Sequence, residues 1–306
     1  MPAHVIAIFG PTTSGKTATA VELALRIDGE IVSADSMQIY HGLACLTNQP
    51  SVEERQGVPH HLIGYLEPWA SYDVVQFAAD AHAAIDDILG RGYSPIVVGG
   101  SGLYLRAALA DLAFPPRPEQ PLRERIRAEV NRLDATQAHA WLSREDPAAA
   151  ARIEPADRRR VARALELVAI GESLAPSGAD ALWTDDTRHP TRIFGLQVPR
   201  EELHRRIDAR TPVLLEQGGI DEVAALHADS RELSPTLARA HGVDDVGSLL
   251  RGEINRAECA RRLAARTRQY AKRQDTWLRR LPTVELIDAD QPPIDVAKAI
   301  AARLLP

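Results

Sequence analysis

Gly10-Pro11-Thr12-Thr13-Ser14-Gly15-Lys16-Thr17 reads G-x-x-x-x-G-K-T. It follows the apolar run Val5-Ile6-Ala7-Ile8-Phe9. A helical pattern opens directly behind it, with Ala20, Leu23, Ala24 and Ile27 on one stripe. Strand, glycine loop, helix is the context in which this pattern holds phosphate. Backbone N–H groups of such a loop point inward around the phosphate, and the helix N-terminus adds partial positive charge. Lys16 would reach the terminal phosphate and Thr17 would hold Mg²⁺. Taken alone the loop defaults to ATP; it names neither the ligand nor the reaction.

Next in the chain come Ile31, Val32 and Ala34, a buried parallel strand by their composition. Asp35 then falls at its carboxyl end, where open α/β sheets bind ligands. The other reading of Asp35 is a turn aspartate that caps the next segment. A polar, turn-rich stretch runs from Asn48-Gln49-Pro50 to Val58-Pro59-His60-His61. The paired histidines lack a second cluster at ligand spacing, so they read as structural or substrate-lining rather than metal-binding. Residues 74–89 have a helical apolar face, ended by Gly92. Pro95-Ile-Val-Val-Gly99-Gly100-Ser101-Gly102-Leu103-Tyr104 is a second buried strand that breaks into a glycine turn. Those glycines serve either close approach to a ligand or a tight strand–helix turn. This strand does not end in the aspartate of a Walker-B motif.

Pro115-Pro116-Arg117-Pro118 then punctuates the chain. Arg-rich helical stretches cover 122–133, 136–144 and 157–170, and 171–190 shows no pattern. A strand returns at 191–198, followed by helices over 201–210 and 213–228. The last long helix spans about 255–281, and a strand and helix close the chain. The expected fold is α/β: a P-loop NTPase-like parallel sheet flanked by helices, formed by 1–114 and 191–306, with an all-helical insertion at 115–190.

The long C-terminal helix buries Leu263, Thr267, Tyr270, Gln274, Trp277 and Leu281 at 4-3-4-3-4 spacing. Arg261, Arg268, Lys272 and Arg279 lie opposite, with Arg262, Arg266, Arg273 and Arg280 on one flank. Within 256–280 the only acids are Glu258 and Asp275, so the face reads as a phosphate-backbone surface rather than a salt-bridge-laced one. The net charge of −6 points away from nucleic acid, but its uneven distribution matters more. With 306 residues, 45% apolar and 25% charged, the chain is of ordinary globular composition. Two distant cysteines, the lack of an ~18-residue apolar run, and a strand close behind Met1 that leaves no room for a signal peptide point to a cytoplasmic protein.

Together these segments resemble the tRNA dimethylallyltransferases. That family reads G-P-T-A-S-G-K-T, D-S-x-Q-x-Y, P-H-H-L, G-G-T-G-L-Y, D-x-x-R-x-x-R-A-L-E and T-R-Q-x-A-K-R-Q-x-T-W. Matching stretches here are 10–17, Asp35-Ser36-Met37-Gln38-Ile39-Tyr40, Pro59-His60-His61-Leu62, 99–104, 157–166 and 267–277. Departures are Thr13 for alanine, Ser101 for threonine, Thr47-Asn48-Gln49-Pro50 without the family's lysine, and His241-Gly242-Val243-Asp244-Asp245 for I-G-Y-K-E.

The resemblance implies transfer of a dimethylallyl group from dimethylallyl diphosphate to N6 of adenosine 37 in tRNAs reading codons that begin with U. The product would be i6A, released with diphosphate, with Mg²⁺ as cofactor and a monomer as the working form. It implies Asp35 as the base and an arginine facing the diphosphate; Arg210 is the choice, with Arg205 and Arg206 close by. For tRNA it implies Asp35, Ser36, Met37 and Gln38 at the extruded base, with Gln38 bonding its edge, and Ser101 near the same place. Arg123, Arg159, Arg160 and Arg163, and Lys272, Arg273, Gln274, Thr276, Trp277 and Arg279, would grip the RNA. Three other readings stay open: an adenylate isopentenyltransferase, a small-metabolite kinase, and an RNA-stimulated P-loop ATPase.

Overall fold

The structure is a computed structural model; it describes residues 4–175 and 181–304. Six parallel strands form one sheet in the order β3-β2-β4-β1-β5-β6. They are β1 (Val5–Phe9), β2 (Gly29–Ala34), β3 (His60–His61), β4 (Ser94–Gly99), β5 (Thr191–Gln197) and β6 (Val284–Asp288). The central strand β1 is buried at every position, which is why it reads as an unbroken apolar run. Each fully buried Ile or Phe there contributes ~1.5–3 kcal/mol.

One face of the sheet is covered by the helices Lys16–Ile27 and Pro293–Leu304, which pack Leu23, Ala24, Ala297 and Ile300 around Ile6 and Ile8. The helices Val74–Gly90 and Gly102–Leu109 meet through Phe77 and Tyr104, whose ring centroids lie 4.7 Å apart. Asp73 caps the first of these two, accepting from the N–H groups of Val75 and Gln76.

Residues 112–184 form a separate compact unit; 1–111 and 185–306 form the other. The smaller unit is helical, with Gln120–Arg132, Ala135–Glu145, Pro147–Ala150 and Arg158–Val168. It has its own core of Ile126, Val130, Leu142, Val161 and Leu165. Of the stretch 171–190, expected to lack pattern, residues 176–180 lie outside the described residues. Ala181–Trp183 forms a short 3₁₀ turn.

Two expectations about elements change. Pro212 does not split the helices near 211: Arg200–Leu214 runs through it. The break comes at a π-turn over Leu215–Gly219, where Gly218 takes φ 126°. A proline removes one backbone donor, whereas a positive φ ends the helical path. β3 is the second: two residues inside the polar segment pair with Ile31 and Val32, too short for any periodicity to announce.

Candidate active site

Register brings the site together. Phe9 pairs with Gly99, and Ala34 pairs with Gly99, so Gly10, Asp35 and Gly100 emerge side by side at the carboxyl edge of the sheet. A cavity of about 720 Å³ opens there. Thr12, Thr13, Gly15, Lys16 and Thr17 line it, with Asp35, Ser36, Met37 and Gln38 from the end of β2. Arg210, Arg239, His241, Tyr270 and Gln274 complete its polar wall; Leu46, Ile207, Leu214 and Leu263 form an apolar one.

The loop is shaped by backbone. Gly15 sits at φ 85° and starts the helix; Thr13 holds φ 62°, a conformation that β-branched residues rarely adopt. Lys16 Nζ donates to the Pro11 carbonyl at 2.7 Å. Burial lowers the Lys16 pKa from 10.5 to about 8; Asp35 opposes that shift and Arg210 adds to it. Those three side chains therefore share one electrostatic environment. Asp35 accepts from the Met37 N–H at 2.8 Å through one oxygen, which fixes its carboxylate at the strand end.

The arginine question has a geometric answer. Arg205 is exposed and paired with Glu202, and Arg206 is held by Glu202 and Asp290. Arg210 lines the main cavity, and burial lowers its pKa. Thr17, whose hydroxyl makes no hydrogen bond among the described residues, and Asp35 give an all-oxygen donor set. Mg²⁺ keeps several waters and shares substrate phosphates, so this set fits it. Among the described residues no group of three His, Cys, Asp or Glu side chains is placed to hold a metal.

Several expected RNA contacts are placed otherwise. Gln274 is 2% exposed, and its carbonyl oxygen accepts the Thr12 N–H at 2.8 Å. It faces the phosphate loop and lines the cavity rather than the exposed face of the helix. Gln38 was expected to bond a base edge. Its amide instead donates to the carbonyls of Thr47 and Asn48, and its oxygen accepts from Ser33. Arg163 donates to the Pro115 and Pro116 carbonyls and pairs with Glu166, itself 1% exposed. Arg123 packs beside Arg117 and Arg127, its Nε buried without a hydrogen-bond partner among the described residues.

Arg159, Arg160, Lys272, Arg273, Thr276 and Arg279 are exposed, while Trp277 is half-buried and stacks edge-on to Tyr270. Lys272, Arg273 and Arg279 have no ion pair among the described residues. The basic helix Arg256–Leu278 is nevertheless laced at its start, contrary to expectation. Glu258 holds Arg261 and Arg262; Arg266 meets Asp245, and Arg268 meets Asp208. The last two acids come from neighbouring helices, which the helix's own sequence cannot show. Ser101 starts the helix Gly102–Leu109, half-buried and outside the cavity lining.

His60 and His61 are structural. His60 Nδ1 bonds the Val58 carbonyl, and His61 Nε2 meets buried Glu30 at 2.7 Å. The glycine turn packs tightly against its neighbours and lines the cavity as well. A Cβ at Gly99 would lie 2.5 Å from the Ala34 carbonyl oxygen, and one at Gly100 2.0 Å from Gln274 Nε2. Sequence reasoning missed His241 and Tyr270 as cavity residues. The signal for Tyr270 was its place on the buried stripe; His241 had none beyond its departure from I-G-Y-K-E.

The family model described as IPP transferase matches residues 38–281, and the one described as isopentenyl transferase matches 3–67. The chain is 44% identical over 292 residues to a tRNA dimethylallyltransferase of Anaeromyxobacter sp. (strain Fw109-5), covering 95% of this chain and 96% of the relative. It is 42% identical to that of Thermomicrobium roseum, covering 94% and 87%. Among solved structures it is similar to the tRNA delta(2)-isopentenylpyrophosphate transferase of Staphylococcus epidermidis, with TM-score 0.71, 31% identity and coverage of 99% and 98%. A eukaryotic dimethylallyltransferase described as acting on tRNA superposes with TM-score 0.77 at 27% identity, covering 98% of this chain and 77% of the other.

Proposed function

The chain belongs to the tRNA dimethylallyltransferase family, and on that footing we propose that it transfers a dimethylallyl group from dimethylallyl diphosphate to N6 of adenosine 37 in tRNA, giving i6A and diphosphate. The observation that carries this reading is the shared cavity. One chamber joins a phosphate loop, a strand-end carboxylate, an apolar wall and an aromatic edge. Its volume suits a small diphosphate plus one base.

The chain's own residues divide the work. Loop amides and Lys16 hold the diphosphate and stabilise the negative charge that grows on it as the allylic C–O bond breaks. Arg210 adds a second positive group to the same cavity. Bound at Thr17, Mg²⁺ would neutralise leaving-group charge. The exocyclic amine is a poor nucleophile, its lone pair delocalised into the ring. Asp35 accepts its proton as the N–C bond forms, a contribution of ~10²–10⁴-fold. The base is extruded from the anticodon loop to reach that carboxylate. Arg159, Arg160, Lys272, Arg273 and Arg279 offer exposed positive charge for the RNA backbone. No helix among the described residues is long and apolar enough to cross a membrane.

Labelled dimethylallyl diphosphate, incubated with tRNA, with AMP or with no acceptor, tests the proposal. Label confined to tRNA, with a mass shift at one adenosine, is the expected result. Label in AMP, or ATP hydrolysis without transfer, overturns it.

A further inference from the structure

Gln38 sits at the cavity, but both of its amide protons are spent on the carbonyls of Thr47 and Asn48. The base edge therefore needs another partner. His241 lines the same cavity, half-buried, and its ring makes no hydrogen bond among the described residues. Tyr270 holds it edge-to-face, with centroids 5.2 Å apart and planes at 88°. The charges acting on it are Asp35 from the end of β2, Arg266 and Arg273 from the helix Arg256–Leu278, and Asp245 from Val243–Leu250. Burial, then Arg273 and Arg266, lower its pKa, so the ring is neutral at pH 7 and carries one N–H donor.

Asp35 and His241 feel each other's charge and share the chamber. In adenine, N6 is flanked by two ring acceptors, N1 on one side and N7 on the other. A purine with its amine at Asp35 thus presents one of these acceptors to a neighbouring donor. A half-buried, unpartnered imidazole gains most from such a bond, because either group left unpaired costs more than the bond returns.

We propose that His241 is a specificity-determining residue: its ring N–H donates to the N1 or N7 acceptor of the adenine and fixes the base with N6 at Asp35. This rests on the prenyl-transfer reading. No bond to the imidazole is made or broken covalently; it orients the acceptor, and in doing so favours a purine with an acceptor beside its amine over one without.

The test is a double-mutant cycle on kcat/KM, with anticodon stem-loop RNAs carrying adenosine, 1-deaza-adenosine or 7-deaza-adenosine at the modified position. His241→Phe keeps the aromatic edge against Tyr270 and removes the donor. The wild-type protein should lose about 5–10-fold on one of the two analogues, for the loss of a single hydrogen bond. His241→Phe should lose a similar factor on adenosine and nothing further on that analogue. His241→Asn, which restores an N–H, should recover part of the discrimination. Thermal melting and dimethylallyl diphosphate binding serve as folding controls. Equal analogue penalties in wild type and His241→Phe, or no penalty in wild type, overturn the inference while leaving prenyl transfer intact. A wild-type protein that prenylates none of the RNAs removes the reading beneath it as well.

Discussion

Gln274 gives the sharpest test of how the C-terminal helix works. Its side chain is 2% exposed and accepts the Thr12 N–H at 2.8 Å, across 262 residues of sequence. Gly100 lies against it so closely that a methyl group there would overlap Nε2 at 2.0 Å. Gln274→Leu keeps most of the volume and removes the acceptor. The Thr12 N–H is then left without its partner in a half-buried place, at a cost of ~1–3 kcal/mol. For a chain of 306 residues each kcal/mol moves the melting midpoint by about 1.5–2 °C, so a drop of roughly 2–6 °C is expected. Dimethylallyl diphosphate should bind more weakly, because Thr12 belongs to the loop that cradles it. RNA affinity in the absence of diphosphate, and its salt dependence, should stay as in wild type. The paired change Lys272→Ala with Arg273→Ala should do the opposite: melting within a degree or two, weaker RNA binding, and a log–log salt slope reduced by about 1–2. Differential scanning fluorimetry and filter binding over a salt series read both. A Gln274→Leu protein with unchanged melting and a reduced salt slope would refute the latch and return this residue to the RNA surface.

Three further outcomes are expected. In the unliganded protein Lys16 has its pKa lowered to about 8, so it is charged at pH 7 and neutral well above pH 8. A diphosphate binds the charged form, so its Kd should stay flat from pH 6.5 to 7.5. It should then rise by up to ~10-fold per pH unit above about 8, a dependence absent in Lys16→Met, as calorimetry from pH 6.5 to 9.5 would show. Arg210→Ala should cost ~10²–10³-fold in kcat/KM for dimethylallyl diphosphate, whereas Arg206→Ala, at a surface pair, should stay within about twofold; equal losses would undo the assignment. Glu30, buried and held by Arg91, has its pKa lowered from near 4.5 to about 2. A depressed carboxylate stabilises the fold above its unfolded value and loses that contribution as pH falls from about 4.5 to 2. With Arg91 41% exposed, Glu30→Gln should cost ~1–2 kcal/mol at pH 7 and flatten the acid limb of urea unfolding between those pH values.

What could be read from the chain, and what could not, divides by the range of the interaction. β1, the phosphate loop and the strand-end position of Asp35 are local patterns: an apolar run, a glycine spacing, a polar residue after a run of three. Burial on both faces of a parallel sheet writes them directly into composition. The stripe on the helix Arg256–Leu278 likewise marked Gln274 as buried. It could not say that Gln274 meets Thr12, because a stripe encodes depth and not partner. The same gap explains the arginines. Arg266 and Arg268 looked unpaired because their acids, Asp245 and Asp208, lie on other helices, and Gln38 looked free because its acceptors are backbone carbonyls that every sequence has. Gly99 and Gly100 were ambiguous for one further reason. A glycine records that something comes close, and Ala34 and Gln274 do so here, at glycines that also line the cavity. The consequence bears on function. The phosphate loop is braced through Gly100 and Gln274 by the helix that carries exposed Arg273 beside Gln274 and is capped by exposed Arg279. On the proposed reading, RNA that displaced that helix would be felt at Thr12, and one buried side chain would couple diphosphate binding to RNA binding. The Gln274→Leu protein should accordingly show weaker mutual enhancement of diphosphate and RNA binding than wild type, and an identical coupling factor in the two would sever that link.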